Sequence, residues 1–135
     1  MESHNLVAIV TLVAVFLFLV MGLRVGQARG RFDVPAPAMS GHPEFDRHFR
    51  VHMNTLEGLV MFLPALWLFA RYWNDLVAAG IGAVWLVGRV IYMVAYVRDP
   101  ATRSTGFLTQ AVATLVLLVG ALGGAIWSII HTGAL

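Results

Sequence analysis

The sequence predicts an all-α fold, an integral membrane bundle of four helices running up and down. Three observations lead there. Of 135 residues, 59% are hydrophobic and only 12% charged, a balance out of keeping with a soluble domain of this size. Four apolar stretches each approach the ~20 residues that a spanning helix needs. The basic residues gather in alternate connections, as the positive-inside rule requires of a multi-pass chain. A single four-span domain, residues 1–135, accounts for the whole sequence.

The first span covers about residues 6–23. Glu2 and His4 precede it where a signal peptide would carry basic residues, and no small-residue cleavage site follows, so it reads as a retained span. The connection over residues 24–49 carries Pro35, Pro37, Gly41 and Pro43 and reads as an ordered, non-helical excursion. The second span covers about residues 51–73, with Pro64 expected to bend it and Tyr72 and Trp73 placed as interfacial anchors. The third covers about residues 76–97 and the fourth about residues 105–130. The connections 71–75 and 98–104 are short, which implies antiparallel neighbours. Gly120-x3-Gly124, flanked by Ala121 and Ala125, reads as a small-residue stripe for close helix contact.

Charge placement gives orientation. All nine basic residues are arginine. Arg24, Arg29, Arg31, Arg47 and Arg50 lie in or beside the first connection and Arg98 and Arg103 in the third, against Arg71 alone in the second. That places the first and third connections in the cytoplasm and both termini outside. The basic pI is thus a matter of topology, and no basic stripe with interleaved aromatics suggests nucleic acid. Cysteine is absent, so any thiol chemistry needs a sulfur brought by a substrate.

The candidate site starts from Glu57, a carboxylate inside an otherwise membrane-grade helix. Arg50, Asn54 and Glu57 are spaced i, i+4, i+7 and share one helix face. An ionised group at such depth costs roughly 2.5–3.5 kcal/mol unless it is paired or lines a polar cavity. On the third span, Trp85, Arg89, Tyr92 and Tyr96 follow i, i+4, i+7, i+11, and Arg103 lies just beyond. The second span begins where the third ends, so Arg50, Asn54, Glu57, Arg89, Tyr92, Tyr96 and Arg103 can converge on one cytoplasm-facing pocket. Such a pocket is cationic with one buried anion, and suits a small polyanion bearing an ammonium group. Plainer readings stand beside this one. Glu57 could pair with Arg89 to tie two helices together, and the two tyrosines could simply pack. Arg24, Arg31 and Arg98 read as lipid-facing topology charges. His48 and His52, at i, i+4, have no opposing histidine and are not read as a metal or haem site.

At these residues the chain resembles a known family, the membrane-associated proteins in eicosanoid and glutathione metabolism. It includes the microsomal glutathione transferases, leukotriene C synthase and the lipoxygenase activating protein. The resemblance covers nearly the whole chain and suggests a bacterial-type member. It is carried by Pro43-Glu44-Phe45-Asp46-Arg47, then Arg50-x3-Asn54-x2-Glu57, then Arg89-x2-Tyr92-x3-Tyr96-x6-Arg103-x2-Gly106-Phe107. It implies glutathione as cosubstrate and a homotrimer with sites between subunits. Arg50, Asn54, Glu57, Tyr92 and Tyr96 fall on positions that hold glutathione in catalytic members. Arg29 and His52 fall where a neighbouring subunit contributes, His52 replacing a glutamine, and Arg103 falls on the arginine that stabilises the thiolate. Two positions depart from leukotriene C synthase: Gly58 stands where it has a tyrosine, and Gly30 where it has the second arginine of a pair.

The resemblance thus implies a membrane glutathione transferase that conjugates the thiolate to a lipophilic electrophile from the bilayer, with lipid hydroperoxides as further substrates by a peroxidase reaction. Two other classes stay open. One is a non-catalytic lipid-binding scaffold like the lipoxygenase activating protein, which lacks the arginine at the position of Arg103. The other is a four-span drug exporter, whose carboxylate would sit in the first span, where this chain has none.

Overall fold

The computed structural model describes residues 3–133. Four long helices follow in order: α1 (Asn5–Phe32), α2 (Pro43–Tyr72), α3 (Asp75–Arg98) and α4 (Ser104–Thr132). A single 3-10 turn, Pro100–Thr102, precedes α4, and no strand occurs among the described residues. All four helices are long and apolar enough to cross a membrane. The exterior fits that setting, with Leu12 69% and Leu122 62% exposed.

The helices outrun the apolar stretches that announce them. α1 has 28 residues and α2 has 30, so they extend about 42 and 45 Å, against ~30 Å of hydrocarbon. The long excursion expected over residues 24–49 is therefore mostly helix, and only residues 33–42 connect α1 to α2. The cause is local. Val25 and Ala28 carry the apolar face of α1 past the span and bury it against Val34 and Phe45. Asp33 then ends the helix in the left-handed conformation (φ 54°), its N–H bonded to the Arg29 carbonyl. α2 opens on Pro43, whose missing N–H costs nothing in a first turn. The His42 ring accepts the Glu44 N–H at 3.2 Å, and Glu44 and Asp46 set negative charge at the positive end of the helix dipole. Pro64 lies inside an unbroken α2.

Hydrogen bonds between helix ends fix the up-down arrangement. At one end the Asp75 carboxylate of α3 accepts the backbone N–H groups of Leu6 and Val7, each at 3.2 Å, and so caps α1. At the other end Arg47 of α2 donates to the carbonyls of Val97 and Arg98 at 3.3 and 3.4 Å, capping the end of α3. Trp73, expected as an interfacial anchor, donates from Nε1 to the Gly120 carbonyl at 2.7 Å and ties α2 to α4.

Packing concentrates on α2 and α3. Phe62 and Trp85 are fully buried and stacked at 4.1 Å, only 5° from parallel, with Leu66, Leu117 and Val7 closing the core around them. Small residues set the helix spacing. A Cβ on Gly124 would lie 2.6 Å from Tyr72 Cβ, and one on Gly120 would collide with the Phe69 ring, so this stripe does serve close contact. A Cβ on Gly106 would lie 2.7 Å from the Gly88 carbonyl oxygen and would collide with the Tyr92 nitrogen. α3 and α4 thus touch backbone to backbone beside Tyr92.

Candidate functional site

The polar faces of α2 and α3 meet α4 around a cavity of about 560 Å³, at the end of the bundle where α2 begins and α3 finishes. α2 contributes Asn54, Glu57 and Gly58, α3 contributes Arg89 and Tyr92, and Arg103 with the first turns of α4 completes the wall. Five of the seven residues expected to converge therefore do so. Asn54 Nδ2 donates to the Tyr92 hydroxyl at 2.7 Å and joins α2 to α3 across the cavity. Arg103 is exposed and spends one bond on the Pro100 carbonyl at 3.0 Å. Its remaining N–H groups are available to a ligand.

The other two lie beside the cavity. Arg50 lines an adjoining space of about 320 Å³ with Phe49 and Met53, and Asn54 and Glu57 form the wall common to both. There Asp46 accepts from the Ser40 hydroxyl at 2.9 Å and the Gly41 N–H at 3.1 Å, which pins the connection against α2. Tyr96 is half-buried and tilts against Tyr92, with ring centroids 5.5 Å apart. It supports the wall from behind.

One expectation needs correction, and one of the plainer alternatives falls away. Glu57 is exposed on the cavity wall, not buried. It also makes no ion pair with Arg89 among the described residues. The reason is geometric. Arg89 turns beneath Gly58, where a Cβ would stand 3.1 Å from Nη2, and lies over the rings of Tyr92 and Trp85 at 4.7 and 5.6 Å. Glu57 faces the open cavity on the neighbouring position.

Arg29 and His52 lie away from both cavities within this chain. Arg29 Nη1 donates to the carbonyls of Ala38 at 2.7 Å and Val34 at 3.3 Å, and its guanidinium lies 4.8 Å above the Phe45 ring. It locks the turn after α1. His52 stacks on Phe18 of α1 at 4.4 Å. Neither shares a cavity with Glu57.

Gln110 of α4 was not foreseen. It is 6% exposed, lines the main cavity, and donates from Nε2 to the Phe107 carbonyl at 3.0 Å. An amide inside an apolar span was the available signal. Met61, Phe107 and Leu108 give the inner wall its apolar surface. Around the two cavities Arg50, Arg89 and Arg103 outnumber Glu57 and Asp46, which suits an anionic ligand whose ammonium group meets a carboxylate.

The sequence model of the MAPEG family matches residues 7–123. The chain belongs to that family. It is 43% identical to an uncharacterized protein of Synechocystis, over 90% of this chain and 89% of that one. It is 39% identical to the human microsomal glutathione S-transferase 2, over 75% of this chain and 69% of the relative. It is 38% identical to the mouse leukotriene C4 synthase, over 90% and 82%. With four helices suited to crossing a membrane, this MAPEG protein is an integral, multi-pass membrane protein.

Proposed function

We propose that this MAPEG protein is a membrane glutathione transferase that conjugates the glutathione thiolate to lipophilic electrophiles. The observation that carries the reading is one cavity in which an exposed arginine, Arg103, stands with Glu57, Asn54 and Tyr92. The relatives named for glutathione transfer and leukotriene C4 synthesis support it. Glu57 takes the ammonium of the peptide, Arg50 a carboxylate in the adjoining space, and Asn54, Tyr92 and Tyr96 position the backbone. Arg103 faces the sulfur.

The chemistry follows from the thiol. A free cysteine-type thiol titrates near ~8.5, so only a few per cent is thiolate at neutral pH. A guanidinium within hydrogen-bond reach favours the anion and stays charged itself. Lowering the thiol pKa by ~2 units corresponds to ~2.7 kcal/mol of thiolate stabilisation. The thiolate sulfur attacks the electrophilic carbon and forms the thioether, with the bonding pair leaving on the displaced group. With a lipid hydroperoxide the sulfur attacks the peroxide oxygen, and a second glutathione completes the disulfide while alcohol and water are released. The cavity opens at the polar end of the bundle and has an apolar inner wall, so a water-soluble peptide and a bilayer-borne partner can meet there.

The assembly belongs to the same proposal. Arg29 and His52 lie apart from Glu57 in one chain, and a homotrimer brings them to the site of a neighbouring subunit. The arginine distribution orients the first and third connections, and hence the cavity mouth, toward the cytoplasm. Calorimetry of glutathione binding to the detergent-purified protein, with Glu57→Gln beside it, tests the reading. Absence of binding to the unaltered protein overturns it.

A further inference from the structure

At the end of the bundle opposite the main cavity, α4 outruns its neighbours. Gly124 lies against Tyr72, the last residue of α2, where an added Cβ would stand 2.6 Å from the Tyr72 Cβ. From there α4 continues to Thr132, about two turns or 12 Å further. That overhang borders a space of about 640 Å³. Arg71 and Tyr72 bound it from α2, His4 from the start of α1, and Trp127, Ser128 and His131 from α4. The volume falls within the ~300–1,000 Å³ of small-ligand sites. No lining residue is shared with the main cavity.

The lining selects an anion. Arg71 is the one arginine at this end, and it makes no hydrogen bond or ion pair among the described residues. Its guanidinium lies 5.9 Å from the centroid of the Tyr72 ring. Asp75, the carboxylate that opens α3, does not line the space and already accepts the N–H groups of Leu6 and Val7. The positive charge thus has no counter-charge in the lining among the described residues. His131 adds a second requirement. Its Nδ1 lies 3.0 Å from the Trp127 carbonyl. A carbonyl only accepts, so Nδ1 carries the proton, and Nε2 of the neutral ring is an acceptor. Stacking on Trp127 at 3.7 Å holds that ring in place. A ligand that meets both needs has an oxyanion for Arg71 and a hydroxyl for His131.

Depth says where such a ligand comes from. Ile126, Ile129 and Ile130 are exposed on the same last turns of α4, at 49, 41 and 70%, so the overhang keeps an apolar surface for lipid. Tyr72 and Trp73 mark the level at which aromatic rings meet headgroups. We infer that this space binds the headgroup of an anionic phospholipid, with the phosphate on Arg71 and a hydroxyl of a glycerol-type headgroup on His131. A planar guanidinium pairs with a phosphate through two parallel bonds, and Ser128 and His4 stand beside it as further polar groups. A choline headgroup would instead bring an ammonium next to Arg71, with no carboxylate to receive it and no hydroxyl for His131. The inference does not rest on the transferase reading, since the two spaces lie at opposite ends of the bundle.

The test uses the full chain in dodecyl maltoside, titrated separately with dioleoyl phosphatidylglycerol and dioleoyl phosphatidylcholine. Native mass spectrometry reads the lipid retained per chain. Phosphatidylglycerol should bind about tenfold more tightly or better, and should raise the melting temperature because it holds three helix ends together. Arg71→Gln should weaken its binding by about tenfold or more. Dioleoyl phosphatidylmethanol keeps the phosphodiester charge but has no hydroxyl, and should bind the unaltered protein less well than phosphatidylglycerol. His131→Phe keeps a ring against Trp127, loses the acceptor, and should abolish that preference; it decides the matter if the Arg71 variant does not assemble. Equal retention of phosphatidylglycerol and phosphatidylcholine by the unaltered protein overturns the inference, as does unchanged binding in Arg71→Gln or an unchanged preference in His131→Phe. Displacement of the lipid by millimolar inorganic phosphate or glycerol phosphate also overturns it, and assigns the space to a soluble anion.

Discussion

Replacing Arg103 by alanine tests the thiolate step of the proposed conjugation. Arg103 commits one N–H to the Pro100 carbonyl and leaves the rest of an exposed guanidinium facing the cavity. Two unit charges ~4 Å apart interact by about 1 kcal/mol in bulk water and about 4 kcal/mol at the effective dielectric near a protein surface. A cavity mouth lies between these limits, so removing the guanidinium should cost the thiolate about 1.5–3 kcal/mol, or roughly 1–2 units of thiol pKa. If bound glutathione titrates near ~6.5 in the unaltered protein, about three quarters is thiolate at pH 7, and Arg103→Ala should reduce this to between about a quarter and a few per cent. Titration of bound glutathione by the ultraviolet absorbance of the thiolate measures the shift, and calorimetry on the same variant measures affinity. The affinity should stay within about tenfold, because the peptide's other charges are held elsewhere. Arg103→Lys should recover only part of the shift, since an ammonium lacks the planar fork. An unchanged thiol pKa in Arg103→Ala would refute the role.

Three further outcomes are expected. On the proposed role of Glu57 as the ammonium acceptor, Glu57→Gln removes a charge-assisted bond worth ~1.5–3 kcal/mol and should raise the glutathione dissociation constant roughly 10- to 150-fold; because Glu57 does not pair with Arg89, thermal melting should scarcely move, and a collapsed melting temperature with normal affinity would restore the pairing reading. Gly106→Ala forces a methyl against the Gly88 carbonyl and the Tyr92 backbone and should destabilise the bundle by about 1–3 kcal/mol, read as a lower melting temperature in detergent. Asp75→Ala strips the start of α1 of the acceptor for two N–H groups and should cost about 1–2 kcal/mol, seen as faster amide exchange at Leu6 and Val7 while glutathione binding stays unchanged.

The spans were legible because the apolar stretches are long and because arginine marks every turn that faces one side. The helix ends were not, since they are set by contacts a hydropathy pattern does not contain. Phe45 drawing Val25 and Ala28 into a cluster extends α1 to Phe32, and His42 with Pro43 starts α2 well before its apolar run. Asn54, Glu57, Arg89, Tyr92 and Arg103 could be placed together from helical spacing alone, as the antiparallel order forces their faces to one end. What spacing could not supply was side-chain direction. Arg29 and His52 point into the turn and onto α1, which a one-dimensional pattern leaves undecided.

The same limit explains Glu57 and Arg89. Charge count and depth offer an ion pair as the plainer alternative for two opposite groups on facing helices. The outcome turns on Gly58, a residue with no charge and no side chain. Its open space lets Arg89 fold under α2 against Trp85 and Tyr92, and that leaves Glu57 facing the cavity. A side chain at position 58 would meet the guanidinium and the Trp85 ring in that space. In this chain the glycine gives Arg89 its room against the two rings, and Glu57 stays open to the cavity.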